Sequence, residues 1–396
     1  MLTSMTFLKM LLLSLAIVFQ LYDATSLYAE PYIPQDDSVV LEQLPVSRDP
    51  QIKKLRRLRT QLSKHPEDLT LAVQLARAYL HLGQTKADPR YDGYAKSALA
   101  SWWNMTQPPP EVLILRATLR QRQHDFDRAL QDLSLVINDQ SNHAQAWLTR
   151  AVIYQVRGNY QDARQSCLPL LRLTNTLIST ACLANAMSMN GHALESYHSL
   201  QRSIEQDSSS TPQEKLWALT ILAETATRLG KYPEAEQYFQ EALTIEREDT
   251  YLLGAYSDFL LDQGRPKDVH VLLKNQTLPD GLLLRLTLAE HQLNSSTRDK
   301  HVETLKARFA ENRLRGEARH LREEARFTLH LLHQPKHALK LALENWNIQR
   351  EPWDARMVLE TSLLSGDRSA AQPVLNWLSS NNLEDTQLQK LIGPLS

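Results

Sequence analysis

Glycine is scarce in this chain, at 11 of 396 residues, under half the average usage of about 7%. Cysteine occurs twice, and neither sign of charge dominates: 44 Lys and Arg stand against 45 Asp and Glu, for a formal net charge of −1. Each shortage excludes something. Two cysteines alone do not make a closed structural zinc site. Balanced charge supplies no global field to draw in nucleic acid or acidic lipid. No run of alternating β-branched residues suggests a sheet. G-x-S-x-G, H-E-x-x-H and Gly-rich phosphate loops are absent, so the sequence implies no enzyme and no cofactor. What remains, Leu, Ala, Gln and Arg with little Gly, suits an all-helical chain.

Long apolar runs are also rare. Residues 10–19 (MLLLSLAIVF) form one, just after Lys9. As a helix it spans about 15 Å, short of the ~30 Å hydrocarbon core. It fits the apolar region of a secretory signal. Residues 1–29 are expected to be that signal, cut after Ala29, or after Ser26 with Ala24 at the −3 site. The alternative is an uncleaved anchor running through Leu21. No Cys lies nearby to make a lipoprotein. The expected location is outside the cytoplasm, periplasmic in a Gram-negative source, with no membrane span after cleavage. Residues 30–50, with Pro31, Pro34, Pro45, Pro50, Asp36 and Asp37, read as a flexible arm. Residues 51–66 read as a capping helix that packs through Ile52, Leu55, Leu58 and Leu62. Its lysines and arginines form a solvated face, or else one that touches an acidic partner or anionic lipid.

Residues 143–173 (HAQAWLTRAVIYQVRGNYQDARQSCLPLLRL) carry the ordering signal. Counted from Ala144, Trp147 is at position 4, Ala151 at 8, Tyr154 at 11, Gly158 at 15, Tyr160 at 17 and Ala163 at 20. Small residues suit the closest approach of two antiparallel helices, and large ones fill the seam beside them. Gly158 suits a turn that needs positive φ. The pattern resembles the 34-residue tetratricopeptide repeat. It recurs in phase from Pro110, Leu216 and Thr250. A unit from Leu69 carries Ala76, Tyr79 and Gly83, then seven extra residues before Ala95. A degenerate unit starts at Leu177. Trp102 and Trp103 end a helix and are expected to be buried against the next unit, a ligand platform being the alternative.

The resemblance, closest to exported bacterial proteins of that family, implies a right-handed α-solenoid of antiparallel helix pairs. About six units would fill residues 69–276. A degenerate helix pair would follow over residues 277–316. Residues 317–396 would hold further repeat-like units, from near Arg319 and Pro352, and a closing helix.

Cys167 and Cys182 lie on neighbouring helices, with the turn midway between them. An exported chain meets an oxidising compartment, so the pair is a candidate disulfide, two buried thiols being the alternative. His330 and His333, with His320 and His337 nearby, are weak metal candidates, because Pro335 separates His337 and no carboxylate completes the set. In the family, positions 2, 5, 9, 12 and 13 of the first helices line a concave groove. Those positions give Arg77, His81, Glu111, Gln121, Arg122, Gln145, Gln155, Val156, Asn185, Trp217, Glu224, Arg228, Tyr251, Asp258 and Asp262. Arg77 stands where the family's carboxylate clamp needs its first Asn, so that clamp is not expected. A mixed polar groove suits a peptide or helix from a protein partner. The expected function is therefore a non-catalytic scaffold or adaptor in the cell envelope. Metal handling around His320–His337, or an accessory role in polysaccharide export or secretion machinery, are the alternatives.

Overall fold

A computed structural model describes Asp36 and residues 49–86, 88–315 and 321–395. The expected signal, nearly all of the arm and His320 lie outside the described residues. The chain falls into two units, Met1–Lys53 and Lys54–Ser396. All but the first turn of the described helices belongs to the second unit.

Among the described residues every regular element is helical. In order they are α1 Pro50–Lys64, α2 Leu69–Lys86, α3 Arg90–Ala98, α4 Ala100–Trp103, α5 Pro110–Arg122, α6 Phe126–Asp139, α7 Ala144–Val156, α8 Tyr160–Cys167 and α9 Leu170–Leu173. Then come α10 Thr176–Ser188, α11 Ala193–Glu205, α12 Pro212–Arg228, α13 Tyr232–Ile245, α14 Thr250–Asp262, α15 Pro266–Leu273, α16 Asp280–Leu293 and α17 Arg298–Leu314. The chain ends with α18 Leu321–His330, α19 Pro335–Trp346, α20 Pro352–Ser365, α21 Gln372–Asn381 and α22 Thr386–Ile392, with short 3₁₀ turns around α21 and α22. The all-helical repeat of paired helices expected from the sequence is present.

The repeat phase is written in the backbone. Position 15 of successive units falls at His124, Gly158, Gly191, Gly230 and Gly264, and every one has positive φ. Counting from Asp280, residue 319 and Pro352, the same position falls at Asn294, His333 and Gly366, also with positive φ. The helix pair over residues 280–314 thus turns as a repeat does, although it lacks the sequence signature. A left-handed residue ends one helix and aims the next back along it. Helix starts are marked too. Thr211 and Glu214 form a capping box on α12, and Asn175 and Asp249 cap α10 and α14 through their side chains.

The small positions do what close helix packing requires. Ala76, Ala117, Ala151 and Ala223 at position 8, and Ala129, Ala163, Ala235 and Ala338 at position 20, have no exposed surface. Aromatic rings fill the seams between them: Phe239 stacks on Tyr256 at 5.2 Å between centroids. Trp102 is buried, in keeping with the packing role expected of it.

Gly83 departs from expectation. It does not turn the chain, because α2 runs on to Lys86. The seven extra residues allow one more helical turn, and Asp88 then accepts from the Arg90 backbone N–H at 3.0 Å as α3 starts. Gly83 serves packing instead: a Cβ there would lie 3.0 Å from Tyr91 Cβ.

Cys167 and Cys182 form a disulfide, with Cα atoms 5.7 Å apart. Both are buried, and the bond ties α8 to α10 across the boundary between the third and fourth units.

Candidate partner-binding surface

The C-terminal helices return to the repeat turns. The Arg350 backbone N–H donates to the Val156 carbonyl at 2.8 Å. Gln349 and His124 share a hydrogen bond of 2.8 Å. Tyr160 donates its hydroxyl to the Arg350 carbonyl at 3.3 Å and packs against Trp377, 5.9 Å between centroids. The Ala193 N–H donates to Glu384 at 2.7 Å, and Tyr232 and Thr386 share a hydroxyl contact of 3.3 Å. Residues 349–387 therefore cover the turns of the second to fifth units in order.

The cover reaches the inner helices as well. Asp258, 3% exposed, lies between Arg285 of α16 and Arg326 of α18. Burial alone would raise its pKa, but the two guanidinium groups outweigh burial and hold it below the ordinary value. Asp262 pairs with Arg356 of α20 at 2.7 Å, and Arg356 also holds Glu360 at 2.6 Å. The Trp353 ring lies between Arg326 and Arg356, 4.5 and 4.3 Å from their guanidinium carbons, a double cation–π contact. Arg322 bonds Glu351 at 3.0 Å, and Asn345 donates to Asp354 at 2.7 Å.

The expectation that all the named positions line a groove for a partner is corrected here. Asp258, Asp262 and Arg228 are not free groove contacts. Asp258 and Asp262 hold the C-terminal helices, and Arg228 is buried, donating to Ser188 at 2.8 Å and Thr225 at 3.2 Å. Three more positions serve internal contacts: Asn185 donates to buried Gln155 at 3.0 Å, and Arg122 pairs with Asp92 at 2.9 Å.

The earlier part of the face differs. Arg77, His81 and Gln145 are exposed, and Glu111, Gln121 and Trp217 are half-buried. Tyr251, 61% exposed, donates its hydroxyl to the Glu224 carboxylate, 3.0 and 3.2 Å from its two oxygens. Burial pushes the Glu224 carboxyl up to about 7, against a pull downward from Arg228 and from the Tyr251 hydroxyl. Glu224 and then burial raise the Tyr251 phenol well above its ordinary value, with Glu351 also acting on it. Glu351 of the C-terminal segment thus raises the Tyr251 phenol and Arg322 of α18 lowers it, while the ring keeps exposed surface.

The histidines do not converge. His330 sits 3.3 Å from Glu360, His333 turns the chain, and its ring lies 5.8 Å from His291. Among the described residues no group of three or more His, Cys, Asp or Glu side chains is placed to hold a metal ion. Sequence reasoning missed the residues that make the cover, Arg326, Arg356, Trp353, Trp377 and Glu384. No local signal marks them, since their partners lie far away along the chain.

Paired helices stacked in register, with a polar inner face, define a protein-interaction solenoid. The chain carries tetratricopeptide repeats: models of that repeat match residues 114–176 and 216–251. No curated protein matches it. Among solved structures it is similar to a tetratricopeptide repeat protein from Parabacteroides merdae, at 14% identity over 80% of this chain and 92% of that one, with a TM-score of 0.26. It is also similar to a chain of the APC/C hetero-tetramer Cut9–Hcn1, at 13% identity over 84% and 73%, TM-score 0.44. Yeast Tom70 gives 12% identity over 87% and 91%, TM-score 0.33. Overlaps this loose carry nothing further to this chain. Among the described residues no helix is long and apolar enough to cross a membrane.

Proposed function

We propose that this protein is an adaptor of the cell envelope that docks a protein or peptide partner on the inner helix face its own C-terminal helices leave open. The envelope part of the reading rests on the signal-like composition of residues 1–29. The docking part rests on one observation above the others. Tyr251 stands exposed over Glu224, while Asp258 and Asp262 on the same helix are tied to arginines. An aromatic ring with a polar tip, held in place by a carboxylate, is the kind of anchor that interfaces favour. Trp217 and Gln145 extend the same face towards the earlier units.

A photoreactive residue at position 251 tests the reading. It should crosslink a discrete partner in the native envelope. The same residue at Leu135, exposed on α6, should not. Equal labelling from both positions removes the docking face. Fractionation of the tagged chain tests the location, and recovery in the cytosol alone removes the envelope assignment.

A further inference from the structure

The C-terminal cover leaves a cavity of about 690 Å³ against the end of α12, within the ~300–1,000 Å³ range of small-molecule sites. Leu229, Leu375, Leu378, Leu383 and Ile392 make much of its wall apolar. Arg228 lines it and is 8% exposed. Among the described residues no carboxylate lies within ion-pair distance of that guanidinium. Its Nη2 donates only to two hydroxyl groups, and its buried Nε has no hydrogen-bond partner. A buried cation whose contact partners are neutral dipoles alone is costly, and an anion that reaches it is bound correspondingly well.

The other charged groups of the wall are already committed. Glu384 accepts from the Ala193 N–H at the start of α11. Asp385 accepts from the Gln387 and Leu388 N–H groups at the start of α22. Each acid is held by a helix N-terminus, which favours its negative charge, although burial raises the Asp385 pKa above its ordinary value against those N–H groups and Arg228. The guanidinium is therefore the charge in this wall with no counterpart at contact distance, Asp385 and Glu224 acting on it only from further off.

The hydroxyl partners do not need that charge. The Ser188 and Thr225 hydroxyls donate to the Asn185 and Ile221 carbonyls, so both keep a partner if Arg228 is removed. An apolar residue of similar length would leave little unsatisfied.

We propose that this cavity binds an amphipathic carboxylate, its head on Arg228 and its apolar body along the leucines. The chemistry is that of a free acyl acid. Isothermal titration of the full chain with dodecanoate tests it, with dodecanol and acetate as probes that keep only the body or only the head. Dodecanoate should bind saturably, one per chain, and each control should bind about tenfold more weakly or worse. Arg228→Met should lose dodecanoate by a similar factor while its Tm stays level or rises. Ser379→Trp, at the exposed edge of the cavity, should block binding without touching Arg228. Equal binding of dodecanoate by wild type and Arg228→Met overturns the proposal, as does the absence of saturable binding. Binding of a Leu-ending peptide without binding of dodecanoate overturns it too. None of these outcomes bears on crosslinking at position 251.

Discussion

Gly158 and Gly264 occupy the same position of two repeats and share a backbone shape, with φ of +73° and +67°. Their surroundings differ. A Cβ on Gly158 would lie 2.8 Å from Trp377 Nε1 and 2.9 Å from Arg350 Cβ, while a Cβ on Gly264 would meet nothing within 4 Å. The repeat demands a left-handed residue at both places. Only at Gly158 does a distant part of the chain also use the missing side chain to come close. The local code thus builds a row of bare turns, and the C-terminal helices seat themselves on part of that row.

The largest effect expected from breaking this contrast is Gly158→Ala. Backbone strain and the clash with Trp377 together should cost about 3 kcal/mol or more in urea unfolding. Reduction of the Cys167–Cys182 bond should come next. It closes a 15-residue separation and contributes up to about 3 kcal/mol by loop entropy, seen as a lower midpoint when dithiothreitol is present. Arg326→Ala removes one of two guanidinium partners of buried Asp258 and should cost about 2 kcal/mol, with protease cleavage appearing first in the C-terminal helices. Gly264→Ala should cost only about 1 kcal/mol, from φ alone. A loss equal to that of Gly158→Ala would remove the distinction between covered and open turns.

The remaining effect is a pH dependence. Glu224, under the Tyr251 hydroxyl, titrates about 7 when folded against 4.5 for the free group, so the folded chain binds the extra proton. Its contribution is full below about pH 4.5 and is lost as pH rises through about 7. Glu360, under the cover, runs the other way. Burial raises it, but His330 and Arg356 outweigh burial and bring it down to about 2. Its contribution is present above about pH 4.5 and is lost as pH falls towards 2. Thermal melts of Glu224→Gln should lose the decline between pH 5 and 7, while those of Glu360→Gln keep it.

The sequence is legible where neighbours along the chain decide the outcome. A small residue at position 8 or 20 is small because the next helix touches it, and the spacing records this. The turn residues show where such reading thins. His124, Asn294 and His333 take the same left-handed shape as the glycines, but nothing in a lone His or Asn announces it. The disulfide was legible for a related reason: its cysteines lie close along the chain, on α8 and α10 with only the short α9 between them. The cover was not. Ala193 meets Glu384 across 191 residues, and Tyr160 meets Arg350 across 190. Each is a single polar contact with no periodic partner beside it. Groove positions carried over from the family failed at Asp258 and Asp262 for that reason, since the arginines that occupy them sit in the least regular third of the chain.

Solenoids ordinarily tolerate gain or loss of a whole unit, because each block touches only its neighbours. This one cannot. Insertion of a single consensus block between Glu246 and Asp249 would shift every later residue against the earlier turns, and Arg350 and Glu384 would miss their seats. Copy number in this chain is set by a return path, as the number of links in a clasped bracelet is set by its fastening.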